Sequence, residues 1–245
     1  MIQTERKEER PDSIDGAKAA CKLLRVAIDG PAGAGKSTVA RQIARRLGYL
    51  YVDTGAMYRA VTWLVMEKGI NRSDGKEIAR QAKAARIQLV PGTDETDGKV
   101  QVFVDGIDIT GKIRTPEITE LVSPLSTIPA IRRLLVEQQR ELSKSGGIVL
   151  DGRDIGTVVI PDADVKVFLT ASAEVRAKRR KRELHEQGVD VDYDALLKDI
   201  NERDERDATR ADSPLKQAKD AVVIISDNMT IDDVVNAVVR LCEGC

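Results

Sequence analysis

Residues 23–41 read LLRVAIDGPAGAGKSTVAR. Leu23–Ile28 is a short, β-favouring apolar run, the glycines from Gly30 to Gly35 break it, and a helical pattern begins at Lys36. That order of strand, glycine loop and helix is the context in which G-x-x-x-x-G-K-[ST] carries meaning, and Gly30-Pro31-Ala32-Gly33-Ala34-Gly35-Lys36-Ser37 matches it in full. The glycines let backbone N–H groups turn inward on a phosphate, Lys36 brings a charge to the β- and γ-phosphates, and Ser37 offers a hydroxyl to Mg²⁺. A mere turn has no use for the Lys-Ser ending. The segment from Gly30 through Thr38 is therefore expected to bind ATP or GTP.

Outward from this loop the chain alternates. Tyr49–Val52 reads as a second strand, followed by Asp53-Thr54-Gly55 and an apolar helix from Ala56 to Met66. Ser73 or Asp74 caps a helix running to Ala85. Arg86–Val90, Lys99–Val104 and Gly106–Ile109 are short alternating segments between Gly- and Asp-rich turns, which predicts a small antiparallel sheet inserted into the larger pattern. Helical periods return at Pro116–Leu121 and Ile131–Leu142. Strands follow at Ile148–Leu150, Val165–Leu169 and Ala221–Ile225, with charged helices between the last two and an amphipathic helix over Ile231–Leu241. Alternating β and α elements imply an α/β fold with a parallel sheet wrapped by helices.

The 245 residues suit one such domain with insertions. At 42% hydrophobic and 32% charged, the composition excludes disordered and fibrous classes. Thirty-nine Lys and Arg against forty Asp and Glu leave a net charge of −1, which argues against wholesale binding to nucleic acid or anionic lipid. Apolar runs such as Ala221–Ile225 fall far short of the roughly 18 residues that span a bilayer. Cys242 and Cys245 lack the second ligand pair of a zinc site. Residues 1–16 contain no apolar stretch of the signal-peptide kind, so residues 1–22 are expected to be a tail before a domain at 23–245, in the cytoplasm.

Three groups of residues point to an anionic phosphoryl acceptor. The first follows the second strand: Asp53, Thr54, Tyr58 and Arg59. The second, Asp151-Gly152-Arg153-Asp154, also sits past a strand end, where ligands of α/β sheets bind, and Asp151 is placed to order the water shell of Mg²⁺. In the third, Arg203, Asp207 and Arg210 share a helical face. Arg176, Arg179 and Arg180 repeat the pattern one helix earlier. Aromatic residues, 3% of the chain, do not interleave with these arginines, so a lid clamping phosphates explains them better than a single-strand platform. No Asn-Lys-x-Asp guanine-reading element is present. A phosphate acceptor, already anionic near pH 7, needs no base, and the sole histidine, His185, reads as a surface residue. Asp53 keeps open a second enzyme class, a kinase of a small hydroxylated metabolite with Asp53 as base. A nucleic-acid-binding P-loop protein is the non-enzyme alternative.

IDGPAGAGKSTVAR at 28–41, YVDTGAMYRA at 51–60, IRTPEI at 113–118, DGRDIGTVVIPDA at 151–163 and ERDERDATR at 202–210 together resemble the bacterial cytidylate kinases. The resemblance runs from about Leu24 to the C-terminus. It implies a P-loop nucleoside monophosphate kinase with a five-stranded parallel core, a nucleotide-binding insertion at about 70–125 and a short helical lid at about 172–190. It implies reversible transfer from ATP, with Mg²⁺, to CMP or dCMP, by a monomer. By position, Arg59, Arg153 and Arg203 would hold the acceptor phosphate with Thr54 and Tyr58 nearby, and Ser123, Arg132 and Asp154 would read the cytosine edge. Asp207 and Arg210 would face the sugar. Lys36, Arg153, Arg176, Arg179 and Arg180 would neutralise charge on the transferring group. The family often has Ser at the position of Thr54, and some relatives have Gly where Ser37 stands.

Overall fold

The computed structural model describes residues 23–92, 100–186 and 188–245. Five strands, β1 (Arg25–Asp29), β2 (Leu50–Asp53), β6 (Ile148–Gly152), β7 (Val165–Thr170) and β8 (Val222–Ile225), form a parallel sheet in the order β2-β6-β1-β7-β8. β1 lies at its centre. With both faces covered, its apolar run divides by the two-residue period of a strand. Val26 and Ile28 pack with Val39 and Ile43 of α1 (Lys36–Leu47) and with Val235 and Val238 of α8 (Ile231–Glu243). Ala27 faces the other layer, which holds Met57 and Leu64 of α2 (Thr54–Glu67) and Leu135 of α5 (Pro129–Ser143).

The expected antiparallel insertion is present as β3 (Ile87–Val90), β4 (Gln101–Val104) and β5 (Ile107–Asp108). Asp105 and Gly106 join the last two with positive φ at both positions, the twist-matched two-residue turn. Ile87, Leu89, Val102 and Val104 are buried beneath it. α3 (Gly75–Ala84) precedes this sheet and α4 (Pro116–Leu125) follows it. Two further helices, α6 (Ala173–Glu186) and α7 (Tyr193–Thr209), lie between β7 and β8 in sequence.

Several boundaries differ from the sequence expectation. α2 starts at Thr54 instead of Ala56, because the Asp53 side chain accepts a hydrogen bond from Ala56 N and caps the helix. Of the two expected caps of α3, Asp74 is the one that forms. α7 ends at Thr209, so Arg210 stands just past the helix rather than on its face. Ile155–Val159, unforeseen, forms a π-helical turn held by Asp29, whose carboxylate accepts from Ile155 N at 2.8 Å and Gly156 N at 2.7 Å. The tail at 1–22 and Lys99 lie outside the described residues. Among those described, no helix is long and apolar enough to cross a membrane.

Candidate active site

A parallel sheet delivers all its carboxyl ends to one rim, and the loops after β1, β2 and β6 open there into a cleft of about 830 Å³. Gly30 lets the chain pass β7 closely, since a Cβ there would lie 1.9 Å from the Leu169 carbonyl oxygen. Gly33 and Gly35 take left-handed φ values of 76° and 87° that direct the loop around its centre. Lys36 is buried, and its Nζ donates to Pro31 O at 2.7 Å. Burial, and next the Arg153 guanidinium, holds its ammonium well below the ordinary lysine range.

β2 and β6 pair so that Asp53 stands opposite Asp151. Ser37 Oγ donates to one Asp151 carboxylate oxygen at 2.7 Å and the Tyr51 hydroxyl to the other at 3.0 Å. Burial, followed by the neighbouring Asp53, pushes Asp151 up to about 6. Among the described residues no group of three or more His, Cys, Asp or Glu could hold a metal. Two hard oxygen donors beside the phosphate loop suit Mg²⁺ arriving with a nucleotide, an ion that keeps water and phosphate oxygens in its shell.

On the acceptor side, Arg153 Nε donates to Asp207 at 2.8 Å. Burial, the largest single influence, pushes Asp207 up, but the charge and hydrogen bond of Arg153 together with the charges of Arg203 and Arg210 outweigh it, and the carboxyl sits below its ordinary value. Arg203 is drawn down to about 10 by burial and then by Arg153, and its Nε is buried without a hydrogen-bond partner. Arg59 bonds Thr119 Oγ1 at 2.9 Å. Asp154 lies between two guanidiniums, in direct contact with Arg132 and 3.5 Å from Arg210. The Arg132 guanidinium in turn stands 5.9 Å from the Tyr58 ring centre. Ser123 lines the same end of the cleft.

Four of the expected site residues have their side chains engaged by the protein itself. Arg176 is not on the cleft wall. It is 4% exposed beneath the phosphate loop, with its donors engaged by Ala171 O, Ala32 O and Asp204, while Arg179 and Arg180 do line the cleft. Thr54 donates its hydroxyl proton to the Asp151 carbonyl at 2.7 Å, which leaves only lone pairs for a ligand. Arg132 and Arg210 pair with Asp154 and do not line the cleft, and Arg132 lines a second cavity instead. His185 is exposed on α6, in keeping with a surface role.

Residues that sequence reasoning missed also line the cleft. Tyr51 orients Asp151. Arg114, 3.8 Å from Asp53, brings a further cation. Ser226, Met229, Thr230 and Ile231 line the cleft as well, and Arg179 donates to Ser226 O at 2.7 Å. The rule that led to Asp53 and Asp151, a position just past a strand end, applies equally to Ser226 after β8.

Asp29 gives a test of the electrostatics. It is 4% exposed, and burial pushes it up to about 6 against the two N–H bonds that lower it. A carboxyl raised in the folded state contributes stability that is full below about pH 4 and lost as pH rises through about 6. Asp29→Asn, which cannot titrate, should be destabilised by its misplaced amide N–H groups. Its deficit should narrow by about 2 kcal/mol between pH 4.5 and 7.5 in parallel denaturant titrations. A deficit independent of pH would mean that Asp29 is ionised throughout.

The family model of cytidylate kinase matches residues 26–244. A cytidylate kinase of Desulforamulus reducens is 52% identical over 218 residues, covering 89% of this chain and 96% of that protein. A bifunctional pantoate ligase/cytidylate kinase of Synechococcus elongatus is 49% identical over 218 residues, 88% of this chain and 41% of that longer protein. Among solved structures, a shikimate kinase from Bacteroides thetaiotaomicron is similar with a TM-score of 0.49 at 17% identity, covering 90% of this chain and 98% of that one. With the match extending from the second residue of β1 to the end of the last helix, this chain belongs to the cytidylate kinase family.

Proposed function

We propose that this protein transfers the γ-phosphoryl group of ATP to the phosphate of CMP or dCMP, reversibly, giving ADP and CDP or dCDP. The observation that carries this reading is the acceptor end of the cleft. Arg59, Arg153 and Arg203 converge there on a space suited to a dianion, beside a buried carboxylate, Asp154, suited to a base that presents an amine. An acceptor phosphate oxygen attacks the γ-phosphorus, the bond to the β–γ bridging oxygen breaks, and ADP leaves with that oxygen. Ser37 and Asp151 would hold Mg²⁺, which would supply charge neutralisation to the donor phosphates. Lys36 turns from Pro31 O to the transferring group, and Arg153 meets the charge shared between donor and acceptor. Arg179 and Arg180 close over the phosphates from the lid at about 172–190, as the insertion at about 70–125 closes over the acceptor.

No proton needs removing from a phosphate acceptor. Asp53, the base of the metabolite-kinase alternative, is engaged as the cap of α2 and lies 3.8 Å from Arg114, an arrangement that favours positioning over proton transfer. The same reading takes the protein as a cytoplasmic monomer without nucleic acid partners. ADP production should be measured against CMP, dCMP, UMP, AMP and a set of hydroxylated metabolites. CMP and dCMP are expected to be the preferred acceptors by at least about tenfold over UMP. Turnover of an unphosphorylated alcohol with none of CMP would overturn the reading.

A further inference from the structure

Arg176 stands outside the chemistry proposed for the cleft, yet its guanidinium joins both halves of it. It lies on the first turn of α6. Nε donates to Ala171 O at 2.9 Å, Nη1 to Ala32 O at 3.0 Å, and Nη2 to Asp204 at 2.6 Å. Ala32 belongs to the phosphate loop. The next residue, Gly33, runs against the Arg176 stem, since a Cβ there would sit 3.4 Å from Arg176 Cβ. Asp204 follows Arg203, the acceptor-side cation whose Nε has no hydrogen-bond partner in the structure. The second Asp204 oxygen is likewise buried without one. A rigid, planar fork thus ties a carbonyl of the donor loop to the helix that carries an acceptor arginine, with no flexible segment between them.

From this bridge we propose that Arg176 is a positioning residue that couples the two nucleotide sites. Seating a triphosphate in the loop fixes Ala32, the fork fixes Asp204, and α7 then holds Arg203 where the acceptor phosphate needs it. Each nucleotide therefore tightens the other, and by linkage the two factors are equal. The proposal rests on the acceptor reading given above.

The test is a pair of calorimetric titrations on the full chain. CMP is titrated with and without saturating Mg²⁺ and β,γ-imido-ATP, a non-transferable analogue, and the analogue is titrated with and without CMP. In the parent protein each should tighten the other by roughly tenfold, within the usual range of coupling between sites. Arg176→Lys keeps the charge but cannot reach three acceptors at once, and Asp204→Asn keeps the shape but weakens the charged link. In both variants the coupling factor should fall to about one or two, while each nucleotide alone changes its Kd by less than about threefold. Thermal melts establish that the variants are folded. If they melt earlier but keep the parent's factor, Arg176 is only a structural clamp and the proposal is overturned. A parent factor of one overturns it too. A parent that binds the analogue but neither CMP nor any other nucleoside monophosphate overturns the functional reading, and the coupling with it.

Discussion

Lys36→Met should fold, melt no lower than the parent and turn over at least about a hundredfold more slowly. The two halves of that expectation have one cause. Lys36 is a buried ammonium with Pro31 O as its acceptor, held near Arg153 and Arg203 by the closed geometry of the loop. A buried charge that Asp151 and Asp29 offset only in part costs stability, so an apolar side chain of similar volume relieves the folded protein of a burden. The same charge, aimed at a phosphoryl group whose oxygens gain negative character in transfer, stabilises the transition state more than the bound nucleotides. Loss of one such donor in a dry site typically costs about 3 kcal/mol or more in activation free energy. Melting curves and single-turnover rates on the same preparation check both halves. Near-normal turnover would remove the loop lysine from the mechanism.

Asp154→Asn should lower kcat/KM for CMP by about a hundredfold and narrow the CMP-to-UMP ratio at least about tenfold. Cytosine presents an amine donor where uracil presents a carbonyl acceptor, so a carboxylate accepts the first and opposes the second. In the structure this carboxylate is also the counter-charge of Arg132 and Arg210. Breaking a buried pair by neutralising one member costs up to about 3–5 kcal/mol of stability, less here because Asn retains an acceptor oxygen. Arg153 adjoins Asp154 in the chain, so slower turnover on every substrate would report its displacement. The ratio of kcat/KM values is therefore the deciding quantity. An unchanged ratio would leave Asp154 as a brace for the arginines, with no part in choosing the base.

The phosphate loop was legible from residues alone because its chemistry is local. Gly30, Gly33 and Gly35 meet backbone demands of a single turn, and Lys36 and Ser37 follow them at fixed spacing. The central strands were legible for a similar reason, since a strand buried on both faces reads as an apolar run, as Val26–Ile28 and Ile148–Leu150 do. Cytosine was legible only through resemblance to a family. Periodicity places Asp154 after a strand and Arg132 on a helix, but it cannot bring the two together across 22 positions.

The arginines of α6 mark the limit most clearly. Arg176 and Arg180 are four residues apart, share one helical face and are chemically identical, so a sequence assigns them one role. Tertiary packing separates them. The first turn of α6 is pressed between the phosphate loop and α7, where carbonyls and Asp204 engage every edge of the Arg176 fork, while one turn later Arg180 reaches the open cleft and pairs with Glu183. The capture of the Ile155–Val159 turn by Asp29 is of the same kind. Sequence by itself determined what depends on neighbours along the chain: strand, loop and helix order, the phosphate site and the supply of cations. Which carboxylate meets which guanidinium, and which are left to face a ligand, depends on burial and on distances between remote segments, and only the assembled fold decides those.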